Sequence, residues 1–229
     1  LVKKLDKGSS LIDKLGIQPF EERFPWLGGD LQTLRDTFVS EKLTYPEPQN
    51  IKIQVPPLPN GNYQAGDLLT LLDLPSASSS IQGLVLILHG LGGSSQRQGL
   101  RRMAFAFIKE NFAVLRVNLR GALPGRNFVG GTYSARCCSD LKPVFKKARE
   151  LCGTLKNENL YGKKEIPLIG AGISLGGTIL LNACLNEDNI IDDYRSVLDC
   201  LVCTSSPLDL LDCSKSIQRP RNSFYQNWL

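Results

Sequence analysis

The sequence predicts a single α/β domain: a mostly parallel sheet covered by helices on both faces. Two observations carry this. Six short apolar runs bounded by turn residues read as strands, at Ile51–Val55, Leu68–Leu74, Leu84–Leu88, Ala113–Leu119, Leu168–Ile173 and Val197–Cys203. Between the later runs, apolar residues recur at helical spacing instead. The later strands are almost continuously apolar, the pattern of a sheet buried on both sides.

Residues 1–60 read as a lead-in. Asp30 is expected to cap a short helix that places Leu31, Leu34 and Phe38 on one face, and Pro46, Pro48, Pro56, Pro57 and Pro59 then break the chain. Three helices follow among the later strands. The first carries Leu100, Met103, Ala104, Phe107 and Ile108, and the second Leu141, Val144, Phe145, Ala148 and Cys152. The third follows Ser174, with Leu180, Leu181 and Cys184 on one face. No repeats are visible.

Composition narrows the class. The 229 residues are 42% hydrophobic and 21% charged, the profile of a globular domain and not of a disordered or coiled-coil chain. Uninterrupted apolar stretches such as Leu84–Leu88 are far short of the roughly 18 residues of a membrane-spanning helix. A net charge of +5 is spread over pairs such as Arg101-Arg102, Lys146-Lys147 and Lys163-Lys164, which read as solvated faces and not as a nucleic-acid surface. The seven cysteines, Cys137, Cys138, Cys152, Cys184, Cys200, Cys203 and Cys213, are odd in number and lack metal-knuckle spacing. They predict neither a disulfide framework nor a metal site. Cys200 and Cys203, in a strand-like run, are expected to be small buried residues. The lysines near the start, Lys3, Lys4 and Lys7, have no apolar run and cleavage site behind them, so no secretory leader is visible and a cytoplasmic location is expected.

The sharpest local signal is Gly172-Ile173-Ser174-Leu175-Gly176. The bare pentapeptide is a weak pattern, but it lies between a buried strand and a helix, the setting of a nucleophile elbow. There Ser174 Oγ would project above the sheet near a helix N-terminus, whose N–H groups favour a developing oxyanion. The alternative is a glycine-rich turn with a capping serine. The second signal is His89-Gly90-Leu91-Gly92-Gly93-Ser94, after the strand Leu84–Leu88. A His-Gly-x-Gly-Gly loop here looks like an oxyanion-hole loop, with Leu91 N–H and Leu175 N–H as the donors. A phosphate-cradling loop is the poorer alternative, since no Gly-Lys-Ser/Thr follows.

A serine hydroxyl needs a base, and the base needs an orienting acid. His89 is the only histidine, and its place in the loop makes it a structural hydrogen-bonding residue. No histidine follows Ser174. Asp199, Asp209 and Asp212 are acids by type, but Asp199 lies at a strand start and the other two precede a helix, so none is assigned.

Pro25-Trp26-Leu27-Gly28-Gly29-Asp30-Leu31-Gln32-Thr33-Leu34, the His89–Ser94 loop, Asn118-Leu119-Arg120-Gly121 and the elbow through Gly177 together resemble the YheT-type family of α/β-hydrolases. Pro207-Leu208-Asp209-Leu210, Asn222 and Tyr225 fit as well. The resemblance implies an α/β-hydrolase fold, a Ser-Asp-His triad, an esterase or acylglycerol-lipase-like activity, an ester or lipid-like substrate, and no metal or organic cofactor. Only Ser174 of that triad maps onto this sequence. Tyr133 is followed by Ser134, where relatives often carry His. The resemblance divides the chain into the lead-in, a hydrolase core over 61–206, and the start of a cap segment over 207–229. The aromatic stretch Phe224–Leu229 and the non-Met first residue read as cuts in a longer protein. The expected function is ester hydrolysis through a Ser174 acyl-enzyme, in a protein that brings its acid and histidine from elsewhere. These 229 residues alone are expected to be inactive. A non-catalytic binding module and an acyltransferase using the same serine are the alternatives.

Overall fold

The computed structural model describes residues 16, 18, 20–39, 43–44, 47–58, 63–76, 80–155, 165–185 and 197–223. The expectations for Lys3, Lys4, Lys7, Pro46, Pro59, Lys163-Lys164 and residues 224–229 lie outside these. The chain divides into two units, residues 1–41 and 42–229.

In the first unit, helix α1 spans Gly29–Phe38. Asp30 is not its cap: the N-cap is Gly28, two residues earlier, at φ 81°, which leaves Asp30 in the first turn. Gly28 N–H donates to Glu22 Oε1 at 3.0 Å instead. Trp26 and Phe38 stack with ring centroids 6.0 Å apart. Leu31 and Phe38 are exposed, so the expected apolar face is not buried within this unit.

The second unit is a six-stranded sheet in the order β1-β2-β4-β3-β5-β6. Its strands are β1 (Gln49–Val55), β2 (Gly66–Asp73), β3 (Gly83–Leu88), β4 (Phe112–Val117), β5 (Leu168–Ile173) and β6 (Cys200–Thr204). The pairs β1/β2 and β2/β4 are antiparallel, and the other three pairs are parallel. Helices α2 (Gln98–Lys109), α3 (Cys138–Thr154) and α4 (Leu175–Leu185) cover it, and α5 (Leu210–Ile217) follows β6.

Alternation along the central strands assigns the two faces. Val85 and Ile87 of β3 pack with Leu100, Ala104 and Ile108 of α2. Leu84, Leu86 and Leu88 face the other way and meet Leu141, Val144, Phe145, Ala148 and Cys152 of α3 and Ile179, Leu180 and Ala183 of α4. The stripe expected on α3 is the buried stripe. On α4 the buried face is Ile179, Leu180 and Ala183, with Leu181 and Cys184 half-buried, because the helix is apolar nearly all round and its pattern does not single out a face.

Strands β1, β2, β3 and β4 begin one or two residues before the expected runs and β2 ends at Asp73, and β4 and β6 differ further. β4 stops at Val117, since Asn118 turns its N–H and its Nδ2 onto Leu69 O, both at 3.0 Å. β6 begins at Cys200, not Val197. Val197 and Leu198 are buried, but they precede the strand. Cys200 and Cys203 are exposed, contrary to expectation, because β6 pairs on one side only and four of its five residues are exposed.

Two charged pairs are buried beneath this architecture. Arg116 holds Asp73 in a two-pronged bond, at 2.6 and 2.8 Å, and Arg120 holds Asp140 likewise, at 2.9 and 2.7 Å. Further bonds satisfy the guanidiniums: Arg116 to Ser95 O, and Arg120 to Gly130 O and Pro56 O. Among the described residues no helix is long and apolar enough to cross a membrane.

Candidate active site

Register brings the two glycine motifs together. Leu88, the last residue of β3, pairs with Gly172 of β5, so His89-Gly90 and Ile173-Ser174 leave the sheet at the same level. Both lie at the C-terminal edge of adjacent parallel strands, where open α/β sheets place their ligands.

Ser174 is the single residue between β5 and α4, with φ 52°. That left-handed conformation is uncommon for a residue with a side chain and is held here by its bonds. Its N–H donates to Thr204 O at 2.8 Å, and its carbonyl accepts from Gly177 N–H at 3.0 Å. The turn closes only without side chains on its flanks. A Cβ on Gly172 would collide with the Gly177 backbone, and one on Gly176 would sit 2.5 Å from the carbonyl oxygens of Leu88 and His89.

The loop after β3 lies directly against this turn. A methyl group on Gly90 would be 3.0 Å from Ser174 Cβ and 3.4 Å from its Oγ. Tyr133 clamps the loop: its hydroxyl accepts from Gly92 N–H at 2.9 Å and donates to Gly90 O at 3.1 Å. Between these two clamped groups is Leu91. Among the described residues, neither Leu91 N–H nor Leu175 N–H donates to any protein group.

His89 is buried beneath the loop, edge-on to Tyr133 with centroids 5.4 Å apart. Its Nε2 accepts Leu119 N–H at 3.1 Å, which places the proton on Nδ1, and Nδ1 donates to Gly90 O at 2.8 Å. Burial pushes its pKa down, and the bond to Gly90 opposes this. Both nitrogens are therefore occupied by the backbone.

The three later acids have other partners. Asp199 Oδ2 accepts from Arg149 at 2.8 Å and from Leu168 N–H at 2.7 Å. Asp209 is the N-cap of α5, accepting Asp212 N–H at 2.9 Å, and Asp212 stands inside the first turn, 3.7 Å from Lys215. Asp212 thus lies within the helix it was expected to precede. Among the described residues no cluster of three or more His, Cys, Asp or Glu could hold a metal ion.

Several residues that build this corner carried no readable signal in the sequence. Tyr133 is 43 positions from Gly90, and Arg116 pairs with Asp73 across the same interval. Arg116 reaches the carbonyl of Ser95, whose N–H donates to Asn118 Oδ1 at 2.9 Å, so the ion pair anchors the far end of the loop. The segment Asn118–Gly121 was visible as a motif, but the partners of Asn118 and Arg120 were not. An open cleft of about 590 Å³ adjoins the loop, lined by Leu91–Ser94, Gln96, Arg97, Gly121–Leu123, Arg126, Thr132 and Tyr133.

No protein-family model matches the chain, and no curated protein matches it. Solved structures do. The Pyrococcus furiosus esterase Pf2001 superposes with a TM-score of 0.53 at 18% identity, over 81% of this chain and 66% of that one. A second crystal form of the same esterase gives 0.50 at 18% identity, over 88% and 63%. An α/β serine hydrolase homologue from Coxiella burnetii gives 0.49 at 16% identity, over 79% and 72%. The fold is that of the α/β-hydrolases. The chain spans just under two thirds of the length of the Pf2001 esterase.

Proposed function

We propose that this protein is a serine hydrolase of carboxylic esters, with small acyl esters or acylglycerol-like molecules as substrates. One observation carries the reading: Ser174 stands at φ 52° between strand and helix, against Gly90, with the unengaged N–H groups of Leu91 and Leu175 next to it in sequence on either side of the contact. In this reading Ser174 Oγ attacks the ester carbonyl, and the two N–H groups hold the oxyanion of the tetrahedral intermediate. The alcohol leaves, and water then releases the acid from the acyl-enzyme. The proton is carried by a histidine, oriented by an acid, both contributed from outside these 229 residues.

The motifs at Pro25–Leu34, His89–Ser94, Asn118–Gly121 and Gly172–Gly177 favour the YheT-type branch of the fold. Residues 1–60 then form the lead-in, 61–206 the core, and 207–229 the first part of a cap, a role that fits the exposed Leu208, Leu210 and Leu211. The free cysteines among the described residues favour a reducing, cytoplasmic compartment.

The test is hydrolysis of p-nitrophenyl esters by the full-length native polypeptide, with its intact mass measured alongside. Ser174→Ala is expected to lower kcat by at least about 10³-fold, and turnover unchanged in that variant overturns the proposal. A second reading, a binding module without catalysis, is favoured by one observation: His89, Asp199, Asp209 and Asp212 are all engaged elsewhere. It takes the lead if the native mass ends at Leu229. Acyl transfer with the same serine is separated by product analysis with and without an added alcohol.

A further inference from the structure

The cleft beside the His89–Ser94 loop has a charge pattern that ester hydrolysis alone does not require. Among the described residues its charged lining consists of Arg97 and Arg126, and no carboxylate lines it. Arg126 is steered by its own backbone, with Nε donating to Gly121 O at 2.9 Å, and Arg97 Nη2 lies 3.5 Å from Gly92 O. Neither guanidinium has a carboxylate partner among the described residues. The same cleft is walled by Leu91 and Leu123, both large and exposed.

Two cations sharing one cleft repel each other, and a bound anion removes that repulsion. A guanidinium fork also matches the planar oxygens of a carboxylate or phosphate. The cleft reaches Leu91, whose N–H is unengaged, and Leu91 follows Gly90, which touches Ser174. The cleft therefore adjoins the Gly90–Ser174 corner, although Ser174 itself does not line it.

We infer that the substrate is an ester bearing an oxyanion, a carboxylate or a phosphate, held by Arg97 and Arg126 while Leu91 and Leu123 cover its apolar chain. This deepens the hydrolase reading and rests on it. The two are separable because anion binding does not require turnover.

The experiment uses full-length protein and two esters of matched length, the p-nitrophenyl monoester of glutaric acid and p-nitrophenyl pentanoate. At about 20 mM salt the anionic ester is expected to be favoured roughly tenfold in kcat/KM. The preference should shrink in about 0.5 M NaCl, where screening is strong, and in the Arg97→Gln/Arg126→Gln double variant. Equal use of the two esters, or a preference insensitive to both salt and substitution, overturns the inference. The second arm titrates Ser174→Ala protein with phenylphosphonate and, separately, with glutarate. Saturable binding of either that is lost in the triple variant supports the site, and the stronger of the two names the oxyanion. No binding of either overturns it. If neither ester is turned over but the anion binds, the hydrolase reading fails while the anion site stands.

Discussion

The Nε2 of His89 accepts the N–H of Leu119 at 3.1 Å, and this contact decides what the protein's single histidine can do. A protonated ring would turn a donor toward that N–H in a buried place. Burial accordingly lowers the pKa of His89 below its ordinary value, against the raising effect of Gly90 O.

The expected pH dependence follows from that direction. Below its ordinary pKa of about 6.5 the unfolded chain takes up a proton that the folded chain refuses. This contribution to stability is complete above about pH 6.5 and declines as the pH falls toward the folded value. Denaturant midpoints measured from pH 7.5 down to 5.5 should fall more steeply in the native sequence than in His89→Gln. Identical slopes would mean that His89 titrates normally.

Tyr133→Phe tests the clamp on the His89–Ser94 loop. The variant keeps the ring beside His89 and loses the bonds to Gly92 N–H and Gly90 O. Two net hydrogen bonds at about 1 kcal/mol each are at stake. If Leu91 N–H is an oxyanion donor, as proposed, kcat of the full-length protein should drop by about tenfold or more with little change in KM, because such a contact acts in the transition state. A change confined to KM would assign Tyr133 to substrate binding instead.

Glycine-to-alanine substitutions separate the elbow from ordinary helix. Gly176→Ala forces a methyl group to within 2.5 Å of two carbonyl oxygens and should cost about 1–3 kcal/mol. Gly153→Ala, in α3, meets no atom within 4 Å and should stabilise the fold by up to about 1 kcal/mol. Urea denaturation of both variants reads the contrast directly, and equal shifts of one sign would contradict the packing described.

The buried ion pairs should respond asymmetrically. Removing one partner, as in Asp140→Ala, leaves Arg120 buried without its carboxylate and should cost about 3–5 kcal/mol. Replacing both Arg120 and Asp140 with apolar residues of similar volume should cost less than the single change. Chemical denaturation of the pair against the single variant measures the difference.

Thiol chemistry should follow exposure. Cys200 is exposed on β6, whereas Cys152 is buried in α3 with its thiol pushed up to about 11, chiefly by burial. Burial also raises the Cys203 thiol, which slows its alkylation. Iodoacetamide on the folded protein should modify Cys200 first and leave Cys152 untouched until denaturation, as peptide mapping would show.

The strands were legible because central strands of a parallel sheet are continuous apolar runs, and the elbow because its glycines mark a turn that side chains would block. The limits of that reading are physical too. Val197 and Leu198 are as apolar as a strand and as buried, but hydrophobicity does not record which residues pair, so β6 began three positions late. Burial of Cys200 and Cys203 was inferred from their neighbours along the chain, whereas exposure is set by the strand's place at the sheet edge. The Tyr133 clamp and the Arg116–Asp73 anchor join residues more than 40 positions apart, and no local spacing encodes such a meeting. Gly28 displaced Asp30 as helix cap because a residue of either type suits that position.

The bond from Ser174 N–H to Thr204 O gives the elbow a built-in reporter. Thr204 ends an edge strand with a single neighbour, so peeling β6 from β5 frees the Ser174 amide to trade its proton with deuterium in the solvent. The exchange rate of that one amide would then clock how often the turn at Ser174 loses its footing, without any ligand present.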